Sequence, residues 1–312
     1  MTGYALKVAI TGISGRFGRL VGGRLHRRHS VVGIDRRSIS HLPKDIEFHC
    51  IDIRRKRCES IFREHQFDAV VHLNIIHNPR ASSQAHHSFN LKGTDRIMEY
   101  CVRFGVRKLV ILSSANVYGP RPDNTQFLTE DAPLMGSERF SKIRALVAVD
   151  MHAQSFFWKH PQVETVILRP VHILGSVKNA PSNYLRLKRP WVVAGFDPMV
   201  QVIHENDVAR AIEACLTPGI QGIFNVAGCP PTALSELLQR AGCQPVPVPH
   251  LIADTMLERL WKMRLTTFPA PELDHLRYVC MVDGTRATKV LRFEPTCDLD
   301  ETIQHVLAIR KV

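Results

Sequence analysis

Short apolar runs punctuate the first half of the chain: Val8-Ala9-Ile10-Thr11, Val31-Val32-Gly33-Ile34, Ala69-Val70-Val71-His72-Leu73 and Leu109-Val110-Ile111-Leu112. Between the first two, Phe17, Leu20, Val21 and Leu25 recur at helical spacing and mark one face of an amphipathic helix. Continuous apolar runs alternating with helix-like segments describe strands covered on both faces, hence a parallel sheet. The pattern predicts strands near 6–11, 31–35, 46–52, 69–74, 108–114 and 165–170, and helices near 16–28, 89–104 and 139–158. Beyond residue 175, Pro181, Pro190, Pro198, Pro230 and Pro231 break the rhythm into short elements. A strand over 222–227 and helices over 232–242 and 249–264 are expected there. Leu251, Ile252, Met256, Leu257, Leu260 and Trp261 form the apolar stripe of the last helix, which core packing should bury. The fold class is α/β, a doubly wound parallel sheet of residues 1–175 followed by a smaller C-terminal part, 176–312.

The first strand breaks into Gly12-Ile13-Ser14-Gly15-Arg16-Phe17-Gly18, and the second ends on Asp35. Strand, glycine turn, helix and acid-tipped strand is the Rossmann-type order that binds dinucleotides. Glycine lets the backbone turn sharply and approach a pyrophosphate, while the helix N-terminus offers N–H groups and a positive dipole end. The expected cofactor is NAD, because Asp35 would bond a free ribose hydroxyl pair and repel a 2′-phosphate. NADP is the alternative, since Arg36 or Arg37 could swing onto that phosphate. Asp52 and Ile53 are expected to border the adenine, and Leu73, Asn74, Asn90 and Pro170 to line the rest of the cofactor.

Composition narrows the class of protein. With 45% hydrophobic and 22% charged residues, the 312-residue chain reads as an ordinary soluble protein. No apolar run approaches a membrane span and no secretory signal is expected, which points to the cytoplasm. Eight scattered cysteines without a C-x-x-C pair imply neither disulfides nor a metal site, and the histidines show no ligand spacing. The net charge of +12 gathers partly in Arg24–His29, Arg54–Arg57 and Arg186–Arg189. Without interleaved aromatics the first two clusters do not suggest nucleic-acid binding, whereas the third suits a polar, charged substrate.

Further motifs make a resemblance specific. Asn90-Leu91-Lys92-Gly93-Thr94 opens a helix; Ser113-Ser114-Ala115-Asn116-Val117-Tyr118-Gly119 leaves the fifth strand; Arg169-Pro170-Val171-His172-Ile173-Leu174-Gly175 and Val202-Ile203-His204-Glu205-Asn206-Asp207 follow. In this order and spacing the chain resembles the extended short-chain dehydrogenase/reductases, the NAD-dependent epimerase/dehydratase group. The resemblance implies strand exchange between the two parts near 200–227 and a substrate cleft between them. Substrate would meet Asn116, Tyr184, Arg186 and His204. It also implies a Ser/Thr that bonds substrate oxygen, a Tyr acid/base and a Lys four residues later. Ser114 and Lys142 fall on the first and third, but Glu138 stands where the tyrosine belongs. Among the five tyrosines only Tyr184 has a lysine, Lys188, at the right spacing, and it lies beyond the sixth strand. His172 replaces an asparagine of the family pattern, and a pKa near 6.5 would suit it to proton transfer.

Two readings follow. One is an NAD(P)-dependent epimerase, dehydratase or reductase acting on a nucleotide sugar or related polar substrate through Ser114, Glu138, Lys142 and His172. The other is a retired family member that binds a dinucleotide as sensor or scaffold. A homodimer is compatible with either.

Overall fold

Neighbouring residues of each central strand point to opposite layers, and both layers are apolar. Val8 and Ile10 enter one core while Ala9 enters the other; Val31 and Val32 divide the same way. The computed structural model describes residues 5–75, 82–137, 143–264 and 270–309. In chain order its first part comprises β1 (Lys7–Thr11), α1 (Arg16–Leu25), β2 (Ser30–Asp35), β3 (Glu47–Cys50), α2 (Lys56–His65) and β4 (Ala69–His72). There follow α3 (Ser83–His86), a π-helical turn (His87–Leu91), α4 (Lys92–Arg103), β5 (Lys108–Leu112), α5 (Arg144–Lys159) and β6 (Glu164–Pro170). The remainder holds β7 (His172–Leu174), α6 (Ala180–Leu185), β8 (Trp191–Val193), β9 (Met199–Val200), β10 (Val202–His204) and α7 (Glu205–Cys215). It closes with β11 (Gly222–Val226), β12 (Thr232–Ala233), α8 (Leu234–Arg240), β13 (Val246–Val248), α9 (His250–Lys262) and α10 (Leu299–Ala308).

Seven strands form one parallel sheet in the order β11-β6-β5-β4-β1-β2-β3. One face is covered by α1 and α7 through Val21, Leu25, Val208 and Ile212. The other is covered by α2, α4 and α5 through Phe62, Ile97, Tyr100 and Phe156. Because β11 pairs with β6, the chain returns from its second part to finish the sheet of the first. A separate apolar cluster, including Leu185, Leu237, Leu257 and Ile303, organises the smaller part. Among the described residues no helix is long and apolar enough to cross a membrane.

Two expectations about helices change. Of the expected α9 stripe Leu257 is buried, Met256, Leu260 and Trp261 are half-buried, and Leu251 (90% exposed) and Ile252 face solvent, so core packing covers only part of it. The short polar helices α2, α7 and α10 were not foreseen. Their first turns carry the signals, as in α10, where Asp298 caps by accepting from the Glu301 N–H (2.7 Å).

Candidate dinucleotide and substrate site

Parallel strands finish on one edge, so Thr11, Asp35, His72, Leu112 and Pro170 end together there. From β1 the chain turns through Gly12, whose φ of +84° disfavours any side chain. A Cβ at Gly12 would also lie 3.0 Å from the backbone of Leu73 and Asn74. At Gly18 it would lie 2.2 Å from the Gly12 carbonyl oxygen, so the helix can pack on the turn only with glycine there. Gly15 is different. It has an ordinary extended conformation (φ −66°, ψ 156°), and a Cβ would meet only Gly12 O at 3.3 Å and the Arg37 guanidinium at 3.7 Å. A side chain at 15 is thus less obstructed than at 12 or 18, with Gly12 O the one close backbone neighbour that would have to give.

Gly15 is also the N-cap of α1, without a side-chain cap or an acid in the first turn. The initial N–H groups of α1 are therefore left without a partner from the helix's own side chains. Phe17 is half-buried against the core, and Arg16 reaches across to donate to Ser176 O (2.8 Å). Asp35 is 1% exposed. Its carboxylate accepts from Ser14 N (3.1 Å) and Arg37 N (3.0 Å), which ties the end of β2 to the glycine turn. Ser14 Oγ donates to Arg37 O (2.7 Å) and completes the tie. These bonds leave further lone pairs on Asp35 for a hydroxyl.

Asn74 supplies an independent sign of a ligand. It is 9% exposed beside Gly12, and its buried Nδ2 has no hydrogen-bond partner among the described residues. A buried donor left unpaired costs about 1–3 kcal/mol, and a ligand oxygen in the cleft would recover it. Nearby, His72 is fixed in the core between Thr11 Oγ1 (2.7 Å) and Thr94 Oγ1 (2.9 Å), and burial lowers its pKa to about 4. Asn90 is buried in the π turn, where its carbonyl accepts from Thr94 Oγ1 (2.6 Å).

The proposed adenine border is rearranged. Ile53 is fully buried against Gly93, so its side chain belongs to the core. Asp52 is held by the Arg54 guanidinium, which keeps its carboxyl below the usual range. Arg36 and Arg54 both lie over the Phe89 ring, 4.6 and 5.2 Å from its centroid. These cations and the Phe89 ring are the groups beside the end of β3.

Ser114 Oγ accepts from Asn116 N (3.2 Å) and caps the short 3₁₀ turn Ala115–Val117, leaving its own proton to be donated. A fully buried network fixes the loop around it. Ser113 Oγ donates to Asp150 (2.6 Å); Arg169 pairs with Asp150 (2.6 Å) and donates to Tyr118 Oη (2.7 Å), which donates to Asn225 (2.8 Å). Glu138 and Lys142 lie outside the described residues.

His172 begins β7 beside His275, with ring centroids 5.2 Å apart. Burial lowers His172 to about 4, not the 6.5 expected, so it is a neutral imidazole at working pH. Burial and His172 lower His275, on the 3₁₀ turn Ala270–Leu276, to about 3, while burial pushes Glu272 of that turn up to about 8. Sequence reading missed Glu272 and His275; no local motif marks them.

Three expected substrate contacts are instead structural. Tyr184 Oη donates to Trp191 O (2.7 Å) inside the smaller core. Arg186 donates to Gly175 O, Val177 O, Asn183 Oδ1 and Val306 O, which leaves little of its guanidinium free. His204 is 1% exposed, accepts from Asn206 N and bonds His305 through Nε2 (2.7 Å). Asn116 stays half-buried at the loop beside Ser114.

A doubly wound sheet with a glycine-cushioned helix N-terminus and an acid-tipped second strand defines a Rossmann-type protein. The family model for the NAD dependent epimerase/dehydratase family matches residues 8–227, and the chain belongs to that family. It is 27% identical over 255 residues to an uncharacterized protein of Mycobacterium tuberculosis, covering 80% of this chain and 67% of that one. It is 24% identical to UDP-glucuronate 4-epimerase of Thermodesulfobacterium geofontis, covering 98% and 95%. Among solved structures, UDP-glucose 4-epimerase of Thermotoga maritima with UDP-glucose superposes with a TM-score of 0.76 at 19% identity, covering 98% and 99%.

Proposed function

We propose that the protein binds NAD along the carboxyl edge of its sheet and acts on a nucleotide sugar or related polar substrate as an epimerase, dehydratase or reductase. The unpaired Asn74 amide beside the glycine turn carries the cofactor half of this reading. The absence of a side chain at Gly15 and the uncapped start of α1 fit a pyrophosphate there. Asp35 would take the adenosine ribose hydroxyls, and the resulting preference is NAD over NADP. NAD supplies a hydride acceptor and donor when bound.

The chain's own groups orient and polarise the substrate. Ser114 donates its free proton to a substrate oxygen, with the loop held still by Asp150 and Arg169. Lys142 would hold the nicotinamide ribose. His172 acts as a neutral hydrogen-bonding group, not as an imidazolium acid. Glu138, four residues before Lys142, is the least conventional member. A lysine ammonium near a carboxyl favours the ionised form, so it would serve as a weak base where a phenol serves both as acid and base. The similarity to UDP-glucuronate 4-epimerase of Thermodesulfobacterium geofontis supports the substrate class.

The same glutamate favours a second reading, a dinucleotide-binding protein without turnover. Glu138→Gln separates the two: a working base loses about 10²–10⁴-fold in turnover with cofactor affinity kept. Glu138→Tyr is the complementary variant and should gain hydride transfer if the substrate pocket is open. Inactivity of both native protein and Tyr variant across a nucleotide-sugar panel, with NAD demonstrably bound, would establish the binding-protein reading.

A further inference from the structure

Away from the nucleotide cleft, the far edge of the sheet gathers three side chains whose donor atoms close into a triangle. Among the described residues β3 pairs only with β2, at the edge of the sheet, and Glu47 and His49, two residues apart, stand on one of its faces. His65 is the last residue of α2, and its ring stacks on Phe67 with centroids 5.4 Å apart and planes 10° from parallel. That stacking holds the imidazole against the strand. His49 Nε2 lies 3.0 Å from Glu47 Oε1, His65 Nε2 lies 3.3 Å from the same oxygen, and the two nitrogens are 3.3 Å apart.

Protons cannot satisfy all three edges of this triangle. Each Nε2 is either a donor or an acceptor, and the carboxylate oxygen only accepts. If both imidazoles carry a proton at Nε2, the two nitrogens face each other as donors. If one does, the other nitrogen faces Oε1 lone pair to lone pair. A cation inside the triangle satisfies all three atoms at once. A tetrahedral centre with bonds of about 2.0–2.1 Å places its ligand atoms about 3.3–3.4 Å apart, close to the separations found. Two imidazoles and one carboxylate are the ligand set of a divalent transition ion, with zinc first, and the fourth position would be left to water.

We propose that Glu47, His49 and His65 form a binding site for a zinc-type divalent cation, which clamps the C-terminus of α2 to the edge strand. The proposal is independent of the dinucleotide reading, because none of the three residues lines the nucleotide cleft. Their spacing in sequence gives no metal motif; the pairing of β3 with the end of α2 creates the site.

The test uses full-length protein stripped with a chelator and titrated with zinc chloride by calorimetry. The expected result is one ion per chain at a Kd of ~10 µM or tighter, with a zinc-dependent rise in Tm. His65→Gln and Glu47→Gln should each weaken that event by at least ~10-fold and remove the rise in Tm, while NAD binding stays at the wild-type level. Zinc-edge X-ray absorption of the wild-type protein reads the ligands even if a variant fails to fold; two imidazoles and oxygen are expected. Sulfur ligation, isotherms unchanged by the variants, or no wild-type binding tighter than ~100 µM would overturn the site.

Discussion

Gly15 and Gly18 look alike in sequence, but the structure assigns them opposite reasons to be glycine. A Cβ at Gly18 would sit 2.2 Å from a backbone oxygen and 2.8 Å from Ile13 Cα, neither of which can rotate away. Overpacking of that kind costs about 1–3 kcal/mol, so Gly18→Ala should lower Tm by roughly 1.5–5 °C. A Cβ at Gly15 has no contact under 3.3 Å, and its backbone angles suit any residue. Gly15→Val should therefore shift stability by no more than ~1 kcal/mol, since reduced freedom of the unfolded chain offsets the tighter contact. Its effect should appear on the cofactor. The added methyl groups would occupy the space in front of the α1 N-terminus, where the pyrophosphate would lie. A clash or displaced hydrogen bond worth about 2–3 kcal/mol weakens NAD by roughly 30–150-fold. Thermal melts and calorimetry on both variants give the comparison. If Gly15→Val binds NAD like the wild type, or melts as low as Gly18→Ala, the turn is a structural element and the assignment of its middle glycine fails.

Three further outcomes follow from the same geometry. Asn74→Leu should hold or raise the Tm of the free protein, because it removes an unpaired buried donor, yet weaken NAD by about 10-fold; loss of stability without loss of affinity would mean the amide serves the fold. Calorimetry with both cofactors should favour NAD, and a clear preference for NADP would overturn the role of Asp35 and point to Arg36 or Arg37. Stability should peak near pH 6–7. His72, His172 and His275 are held neutral with folded pKa values of about 4, 4 and 3 against 6.5 unfolded, so the unfolded chain binds more protons below 6.5 and stability falls as acid is added. Glu272 has the reverse sign: protonated in the fold up to about 8, it loses stability as pH rises from 4.5 to 8. Thermal melts from pH 4.5 to 8.5 should thus show a maximum, removed on its alkaline side by Glu272→Gln; a monotonic profile would contradict these shifts.

The sheet was legible because its signal is local and periodic. Each apolar run and each intervening helix face could be read without knowing its partner, and the glycine turn carried its own geometry. The same holds for Asp35, fixed by position at the end of a strand. Polar side chains of the second part were not legible. Tyr184, Arg186 and His204 had the right chemistry for a substrate, but Tyr184 bonds the Trp191 carbonyl seven residues on, while Val306 and His305 reach Arg186 and His204 only through tertiary folding. His172 likewise takes its character from burial against His275, far along the chain. The α9 stripe had a core-like period but only Leu257 of it is buried in the smaller core, since periodicity states which face is apolar and not how much of it is covered. The Ser113–Asp150–Arg169 network was equally hidden, although it fixes the loop that presents Ser114.

The central claim, a dinucleotide seated on the α1 N-terminus, is tested most directly by a crystal structure of the protein with NAD. The account predicts pyrophosphate density against Gly15, ribose hydroxyls on Asp35 and a cofactor oxygen within hydrogen-bond distance of Asn74 Nδ2. A cofactor bound elsewhere, or crystals soaked to saturation that leave this turn without one, would contradict it.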